Sequence, residues 1–330
     1  MADQAQLQPV RGRRGRRNLL EVIVLAVTLA LIPGFATLGN LKVILSNSAS
    51  LVMLSCGMAV VIISRGLDLS IVAEMVAGAT TFSILIGAGV AAPVALLLTV
   101  AVMIMLGFLN GWLIAYVEIP AMLATLASAM LITGLFRFGI LRGEYLLLLP
   151  KTDPAVVFLS GNVFPGLTVP VALMGATLLA TWVLLNLSAA GHTVYAMGDN
   201  FQAARLTGLP VRRVTIVVYV FAALTALLAG LVTSAASGTV DFRTVTNGTL
   251  LFEVILVAVL GGIPLRGGRG GLRNIVIGIA LIAVLRNGMT LLNFTAQTQD
   301  VLKGLVLVTA IVADNYFNPR DIETDTVGDL

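Results

Sequence analysis

The chain is a succession of apolar runs, most of them long enough to cross a bilayer, divided by short polar or glycine-rich breaks. A helix needs about 20 mainly apolar residues to cross about 30 Å of hydrocarbon, and about 17 is the lower limit. By that measure clear candidate spans are 19–38, 93–117, 119–140, 167–187, 214–233, 275–294 and 301–317. Shorter or interrupted candidates are 44–64, 71–91 and 249–262. Only 11% of residues are charged and 58% are hydrophobic, whereas a water-facing domain carries roughly 25% charged residues. Such a chain is stable only with lipid against much of its surface. The expected fold class is therefore all-α, a polytopic membrane protein with about ten transmembrane helices.

Charge placement sets the expected topology. Arg11, Arg13, Arg14, Arg16 and Arg17 crowd the stretch before the first apolar run, where cytoplasmic arginines anchor a span. This accounts for the net charge of +4 without a nucleic-acid partner. The run from Leu19 is too long for a secretory signal, and further spans follow it, so no cleavage is expected. If spans alternate from a cytoplasmic N-terminus, the cytoplasmic segments fall near 65–70, 118, 188–213 and 263–274, with the C-terminal tail. Arg205, Arg212 and Arg213 lie in one of these, and Arg266, Arg269 and Arg273 in another. On the opposite side, 141–166 and 234–248 carry charges that largely cancel. Both termini are thus expected in the cytoplasm. The organisation reads as a basic tail 1–18, a transmembrane unit 19–317 interrupted by the polar loop 188–213, and an acidic tail 318–330.

Loop 188–213 contains YAMGDNFQAARLTGLP, Tyr195 to Pro210. Asp199 or Asn200 can cap a helix by accepting from first-turn amides. Gln202 to Leu206 are good helix formers, Gly208 suits the left-handed position after a helix, and Pro210 stops continuation. A helix this short is marginal in water, so it needs a surface to dock on. It reads as a docking helix for a cytoplasmic partner.

SRGLDLS, Ser64 to Ser70, separates two apolar runs, and Glu74 follows. A carboxylate at membrane depth faces protein interior or a wet cavity, and a broken helix is tolerated there only under the same condition. Asp68 then either caps the next span from the interface or belongs to a gate or pathway with Ser70, Glu74 and Asn110. Gly107 and Gly111 form a GxxxG pair suited to close helix packing. Asn110, Glu253, Asn287 and Asn293 are further polar groups within apolar runs. Each is a candidate to bond a neighbouring helix or to line a route for a polyhydroxyl solute.

LGGIPLRGGRGGLRN, Leu260 to Asn274, is glycine-rich, yet the phosphate-loop pattern GxxxxGK[ST] is absent. It reads as a tight turn between packed helices. Cys56 is the only cysteine and His192 the only histidine, so Cys/His metal sites and histidine relays drop out. No catalytic constellation appears, and no cofactor or metal is expected. ATP hydrolysis would have to come from another chain.

Four blocks, GLDLS (66–70), GFLNGWLIAYVEIPAMLATL (107–126), YAMGDNFQAARLTGL (195–209) and VAVLGGIPLRGGRG (257–270), resemble the permease subunits of ribose-type sugar ABC importers. The resemblance runs from about residue 40 to residue 315. It implies a multi-pass subunit of the bacterial inner membrane, paired with a second permease that is the same or a sister chain. It also implies a cytoplasmic ABC ATPase and a periplasmic solute-binding protein that delivers a small polar solute, a monosaccharide or related polyol. The family's ATPase-coupling element falls on Gly198, Asn200, Ala203, Ala204, Gly208 and Leu209, with Asp199 and Arg205 inside it. One departure is that Arg65 and Val72 stand where the family often has glycine around its Asp-Leu-Ser break. Competing readings are a permease for autoinducer-2 on the same scaffold, an ion-coupled secondary transporter using Asp68 and Glu74, and a passive channel.

Overall fold

A computed structural model of the protein describes residues 31–317. The basic tail, most of the expected span 19–38 and the acidic tail lie outside the described residues. The membrane-type helices are α1 (Leu38–Ile63), α2 (Ile71–Gly87), α3 (Ala92–Ala115) and α4 (Ala121–Gly134, extended by a π-turn, Leu135–Ile140). After a connecting region come α6 (Val169–Leu187), α9 (Val211–Ser237), α11 (Thr249–Leu260), α12 (Leu272–Leu291) and α13 (Ala296–Phe317). Shorter helices are α5 (Pro154–Ser160), α7 (Ala189–Asp199), α8 (Phe201–Leu206) and α10 (Arg243–Thr246). Among the described residues, 6 helices (α1, α3, extended α4, α6, α9 and α12) are long and apolar enough to cross a membrane. α2 and α11 are shorter apolar helices.

Every expected segment from 44–64 onward coincides with a helix. The main boundary difference lies at the start. The sequence suggests a break between 38 and 44, but residues 31–37 form turns and α1 then runs 26 residues without interruption. Thr37 caps it, its hydroxyl accepting from the Asn40 amide at 3.2 Å. The polar Asn40 does not break the helix because α12 satisfies it. Its amide donates to Asn287 Oδ1 at 2.8 Å, and Asn287 Nδ2 donates back at 2.9 Å. At the other extreme α9 ends where Gly238 takes the left-handed conformation after Ser237.

α1 and α9 form the centre of the bundle. In their most apolar stretches 83% and 67% of residues are buried within the protein, against 22% for α3 and for α4. Helices apolar all round belong in the middle, while α3 and α4 keep apolar faces outward, as a lipid-facing helix does. The GxxxG pair on α3 explains how α3 meets α9. A Cβ on Gly107 would sit 2.7 Å from the Tyr219 carbonyl oxygen and Val220 Cα, and one on Gly111 would sit 2.6 Å from Ile216 Cα. Only glycine allows that approach.

The connections gather at two ends. At one end lie α7, α8, the turn between α3 and α4, residues 64–70 and the glycine-rich segment 261–271. At the other, β1 (Leu146–Leu148) pairs antiparallel with β4 (Thr239–Asp241), Leu146 opposite Asp241. Nearby, β2 (Asn162–Phe164) pairs with β3 (Leu167–Thr168). The all-α expectation thus describes the spans, and these two small ribbons are added to it. The β1–β4 pairing joins 141–166 to 234–248, the two connections that the charge pattern places on one side.

Candidate functional site

At the first end, α6 and α7 are separated only by Ser188, whose hydroxyl accepts from the Gly191 amide at 3.0 Å and donates to the Leu184 carbonyl at 2.6 Å. α7 runs back beneath the bundle to Asp199. There the backbone of Gly198 meets two other segments at once. A Cβ on Gly198 would lie 2.0 Å from the Ile63 carbonyl oxygen and 2.2 Å from the Gly268 nitrogen. Gly268 N in turn donates to Ile63 O at 2.9 Å. The glycine-rich segment therefore acts as a packing joint between the end of α1 and the end of α7. Tyr195 on α7 ties the same segment down, its phenol donating to the Gly270 carbonyl at 2.9 Å. Partial burial pushes that phenol above its ordinary pKa range, so it remains a donor.

Asn200, not Asp199, caps the short helix α8, its Oδ1 accepting from the Ala203 amide at 2.9 Å. Asp199 ends α7. Gly208 takes φ +80° as expected of a residue closing a helix in the left-handed region. Ala204 is buried against the bundle, while Gln202, Ala203, Arg205 and Leu206 face outward. Leu206 is 87% exposed, the most exposed large apolar side chain among the described residues. Arg205 and Arg212 both reach Glu118, in the turn between α3 and α4, at 3.6 and 3.0 Å. These pairs are solvent-exposed and contribute at most about 1 kcal/mol each. Their effect is positional: they tie α8 and the start of α9 to the α3–α4 turn.

The second group of predicted residues converges inside the bundle. Asp68, Ser70, Glu74 and Asn110 are each at most 1% exposed. Asp68 Oδ1 accepts from the Ser70 amide at 2.8 Å and from its hydroxyl at 2.6 Å. Asn110 Nδ2 donates to Ser70 Oγ and to Glu74 Oε1, both at 2.9 Å. The Ser128 hydroxyl, from α4, donates to Asn110 Oδ1. Thr125, also on α4, accepts from the Leu69 amide at 3.1 Å. The break between α1 and α2 is thus held by side chains of α3 and α4. Asp68 bonds Ser70, the residue before α2, from the buried interior of the protein. Asp68 Oδ2, Glu74 Oε2 and the Tyr219 hydroxyl are buried without a hydrogen-bond partner. Tyr219 Oη lies over Gly66, where a Cβ would meet it at 2.7 Å.

The remaining intramembrane polar residues resolve separately. Asn287 bonds Asn40 as described, and Asn293 lies beyond the end of α12 with φ +57°. Glu253, 5% exposed, faces Lys303 of α13 at 3.6 Å. Sequence reasoning missed Ser128, Tyr219, Glu118 and Leu206. For Leu206 a signal existed: it is an apolar residue at the outer end of an otherwise small and polar capped helix. Among the described residues no group of three or more His, Cys, Asp or Glu could hold a metal ion.

Comparison with known proteins identifies the family. A family described as branched-chain amino acid transport system / permease component matches residues 40–311. The ribose import permease protein of Escherichia coli (strain K12) is 30% identical over 319 residues, covering 93% of this chain and 98% of that protein. An autoinducer 2 import system permease protein of Salmonella typhi is 32% identical over 312 residues, covering 93% and 87%. The L-arabinose transport system permease protein of Escherichia coli (strain K12) is 31% identical over 285 residues, covering 86% and 85%. No solved structure gives a significant match.

Proposed function

The chain belongs to this family of transport-system permease components, and from that premise we propose that it is the passage subunit of an ATP-driven importer for a monosaccharide or related polyol. It spans the bacterial inner membrane about ten times, both termini in the cytoplasm. It pairs with a second permease, receives solute from a periplasmic binding protein, and is driven by a separate cytoplasmic ABC ATPase. The observation that carries this reading is α8. It is a capped helix seated by the buried Ala204 and presenting the almost fully exposed Leu206, at the end where Arg205, Arg212, Arg266 and Arg269 gather. A single apolar side chain on a rigid, solvated helix is the kind of anchor that a partner's groove takes up.

The test substitutes Leu206→Glu. Because Leu206 packs against nothing, the bundle should still insert and fold. Co-purification of the ATPase and ATP-driven uptake should both fall at least about tenfold, the effect of losing about 1.4 kcal/mol of partner affinity. Uptake and complex formation at the unsubstituted level would overturn the assignment of α8.

The buried carboxylates favour a second reading, ion-coupled transport through Asp68 and Glu74. Vesicle uptake separates the two. With ATP maintained, collapsing the proton gradient spares the ATP-driven importer and stops the ion-coupled transporter.

A further inference from the structure

Among the described residues five fully buried side-chain oxygens have no hydrogen-bond partner. Three of them gather at the break between α1 and α2: Asp68 Oδ2, Glu74 Oε2 and the Tyr219 hydroxyl. Tyr219 Oη lies over Gly66 and within Coulombic reach of both carboxylates. The other two stand elsewhere: Ser55 lies within α1, and Glu253 faces the Lys303 ammonium. Among the described residues no cation pairs with Asp68 or Glu74. The elements packed against α2 hold their charges away from it. α9 turns Tyr219 toward the pair, and its Arg212 and Arg213 are exposed at its start. Arg65, in the break itself, is exposed too. Arg137, on the extension of α4, donates to the Gly143 carbonyl. Arg243 of α10 pairs with Asp241 of β4, and Glu253 of α11 with Lys303. α3 carries no charged residue. α1 contributes Lys42, near its opposite end, and the buried Cys56 thiol, which bonds Thr181.

The hydrogen bonds divide the two carboxylates. Asp68 Oδ1 accepts the Ser70 amide at 2.8 Å and the Ser70 hydroxyl at 2.6 Å. The Ser70 hydroxyl has one hydrogen, and Glu74 Oε1, at 3.3 Å, is the longer of its two contacts. Glu74 is therefore left with one full donor, Asn110 Nδ2 at 2.9 Å. Both carboxylates lie at the start of α2, whose dipole supplies roughly half a positive charge, enough to favour one anion and too little for two. A buried carboxylate without a cation or sufficient donors takes up a proton instead. The site for that proton is also defined. The Ser128 hydroxyl donates to Asn110 Oδ1, so the Asn110 amide turns its Nδ2 to Glu74 Oε1. The proton then belongs on Oε2, the oxygen without a partner. With both groups ionised, the Tyr219 O–H is the single unused donor for two anionic oxygens. With Oε2 protonated there are two donors.

We propose that Asp68 and Glu74 form a one-proton site, in which Glu74 holds the proton on Oε2 and Asp68 alone is ionised. One negative charge then remains inside the bundle, held by Ser70 at the start of α2. The inference goes beyond the passage reading and does not depend on it. It also differs from ion coupling, because the proton is resident: it belongs to the folded structure and is not carried across.

Infrared spectroscopy of the full-length protein in proteoliposomes reads the proton directly, through the C=O stretch that a carboxylic acid has and a carboxylate lacks. At neutral pH in potassium buffer, the spectrum of the unsubstituted protein minus that of Glu74→Gln should show one such band. Asp68→Asn should retain it. Gln keeps an acceptor for Asn110 and places an N–H donor where the proton stands. Glu74→Gln should therefore unfold in mixed micelles at no lower denaturant concentration than the unsubstituted protein. These two measurements on Glu74→Gln decide the matter even where Asp68→Asn fails to fold. No band in the difference spectrum, or a band lost in Asp68→Asn and kept in Glu74→Gln, would overturn the assignment. So would a clear loss of stability in Glu74→Gln, or a band that vanishes when sodium replaces potassium, which would make the ligand an alkali ion. The permease reading is judged separately by the Leu206→Glu uptake measurement, which none of these outcomes touches.

Discussion

The contact between α3 and α9 gives the sharpest structural prediction, because its neighbours are backbone atoms that cannot rotate away. In Gly107→Ala the new Cβ would stand 2.7 Å from the Tyr219 carbonyl oxygen, whereas ordinary contact begins near 3.4 Å. Relief requires the two helices to part locally by about 0.7 Å, an overpacking of the kind that costs roughly 1–3 kcal/mol. Gly111→Ala meets Ile216 Cα at 2.6 Å and should cost about the same. One separation of the helices relieves both clashes, so the double variant should cost less than the sum, a coupling of about 0.5 kcal/mol or more. Asn110 lies between the two glycines, and its bonds to Ser70 and Glu74 are both 2.9 Å. Moving α3 outward stretches them, so uptake should fall further than stability alone explains. The assay is reversible unfolding in mixed micelles for the single and double variants, with uptake measured in parallel. Single variants as stable as the parent, or strictly additive losses, would refute the close-approach account.

Three further outcomes follow from other contacts. Asn40→Leu leaves Asn287 without its reciprocal partner and should destabilise by about 0.6 to 1.7 kcal/mol, with Asn287→Leu in the same molecule recovering part of the loss; unfolding of the four species checks this. Glu118→Gln removes two exposed ion pairs and should change stability by less than about 1 kcal/mol, the difference shrinking as salt is raised; an effect that is large or insensitive to salt would contradict their exposure. Gly198→Ala forces a Cβ against Ile63 O and Gly268 N, both backbone atoms. It should leave ATPase co-purification intact, since Gly198 lies behind α8, while uptake falls about tenfold or more, a barrier increase of about 1.4 kcal/mol; unchanged uptake would show that this joint transmits nothing.

The parts of this molecule that were legible in its sequence are those governed by local rules. Apolar run length placed the spans, and cap chemistry placed α8 between Asn200 and Gly208. A carboxylate inside an apolar stretch singled out Asp68, but left open whether it caps the next span from the interface or belongs to a gate or pathway. What escaped depends on which helix lies beside which. The stretch between 38 and 44 looked like a break because nothing near Asn40 in sequence shows that Asn287, 247 positions on, would bond it. Asp68, Ser70, Glu74 and Asn110 could be named as one candidate gate or pathway group, but the bonds that join them depend on the α3–α9 approach made by Gly107 and Gly111. Ser128 gave no signal, since a lone serine hydroxyl in an apolar helix ordinarily bonds its own backbone, and nothing in sequence shows that Tyr219 lies over the broken segment 64–70.

α1 runs from the end that carries α8 through the middle of the bundle. Its last carbonyl, on Ile63, receives Gly268 N and lies against Gly198. From Ile63 to Ser50 the helix rises about 20 Å at about 1.5 Å per residue. α1 runs without interruption and 83% of its most apolar stretch is buried, so it has little freedom to absorb a displacement by bending, and a close-packed interior passes strain on. If α8 is the coupling helix proposed above, a push on it passes to α7 through Asn200 and to the end of α1 through Gly198, and α1 moves as a rod. α9 shares the load, since it begins beside α8 at Val211 and packs along α1. The outer helices α3 and α4 contribute differently. Through Asn110, Thr125 and Ser128 they hold the broken segment 64–70, which ties α1 to α2. On this proposed route the Asp68–Glu74 cluster is the fixed point about which α1 and α2 rearrange.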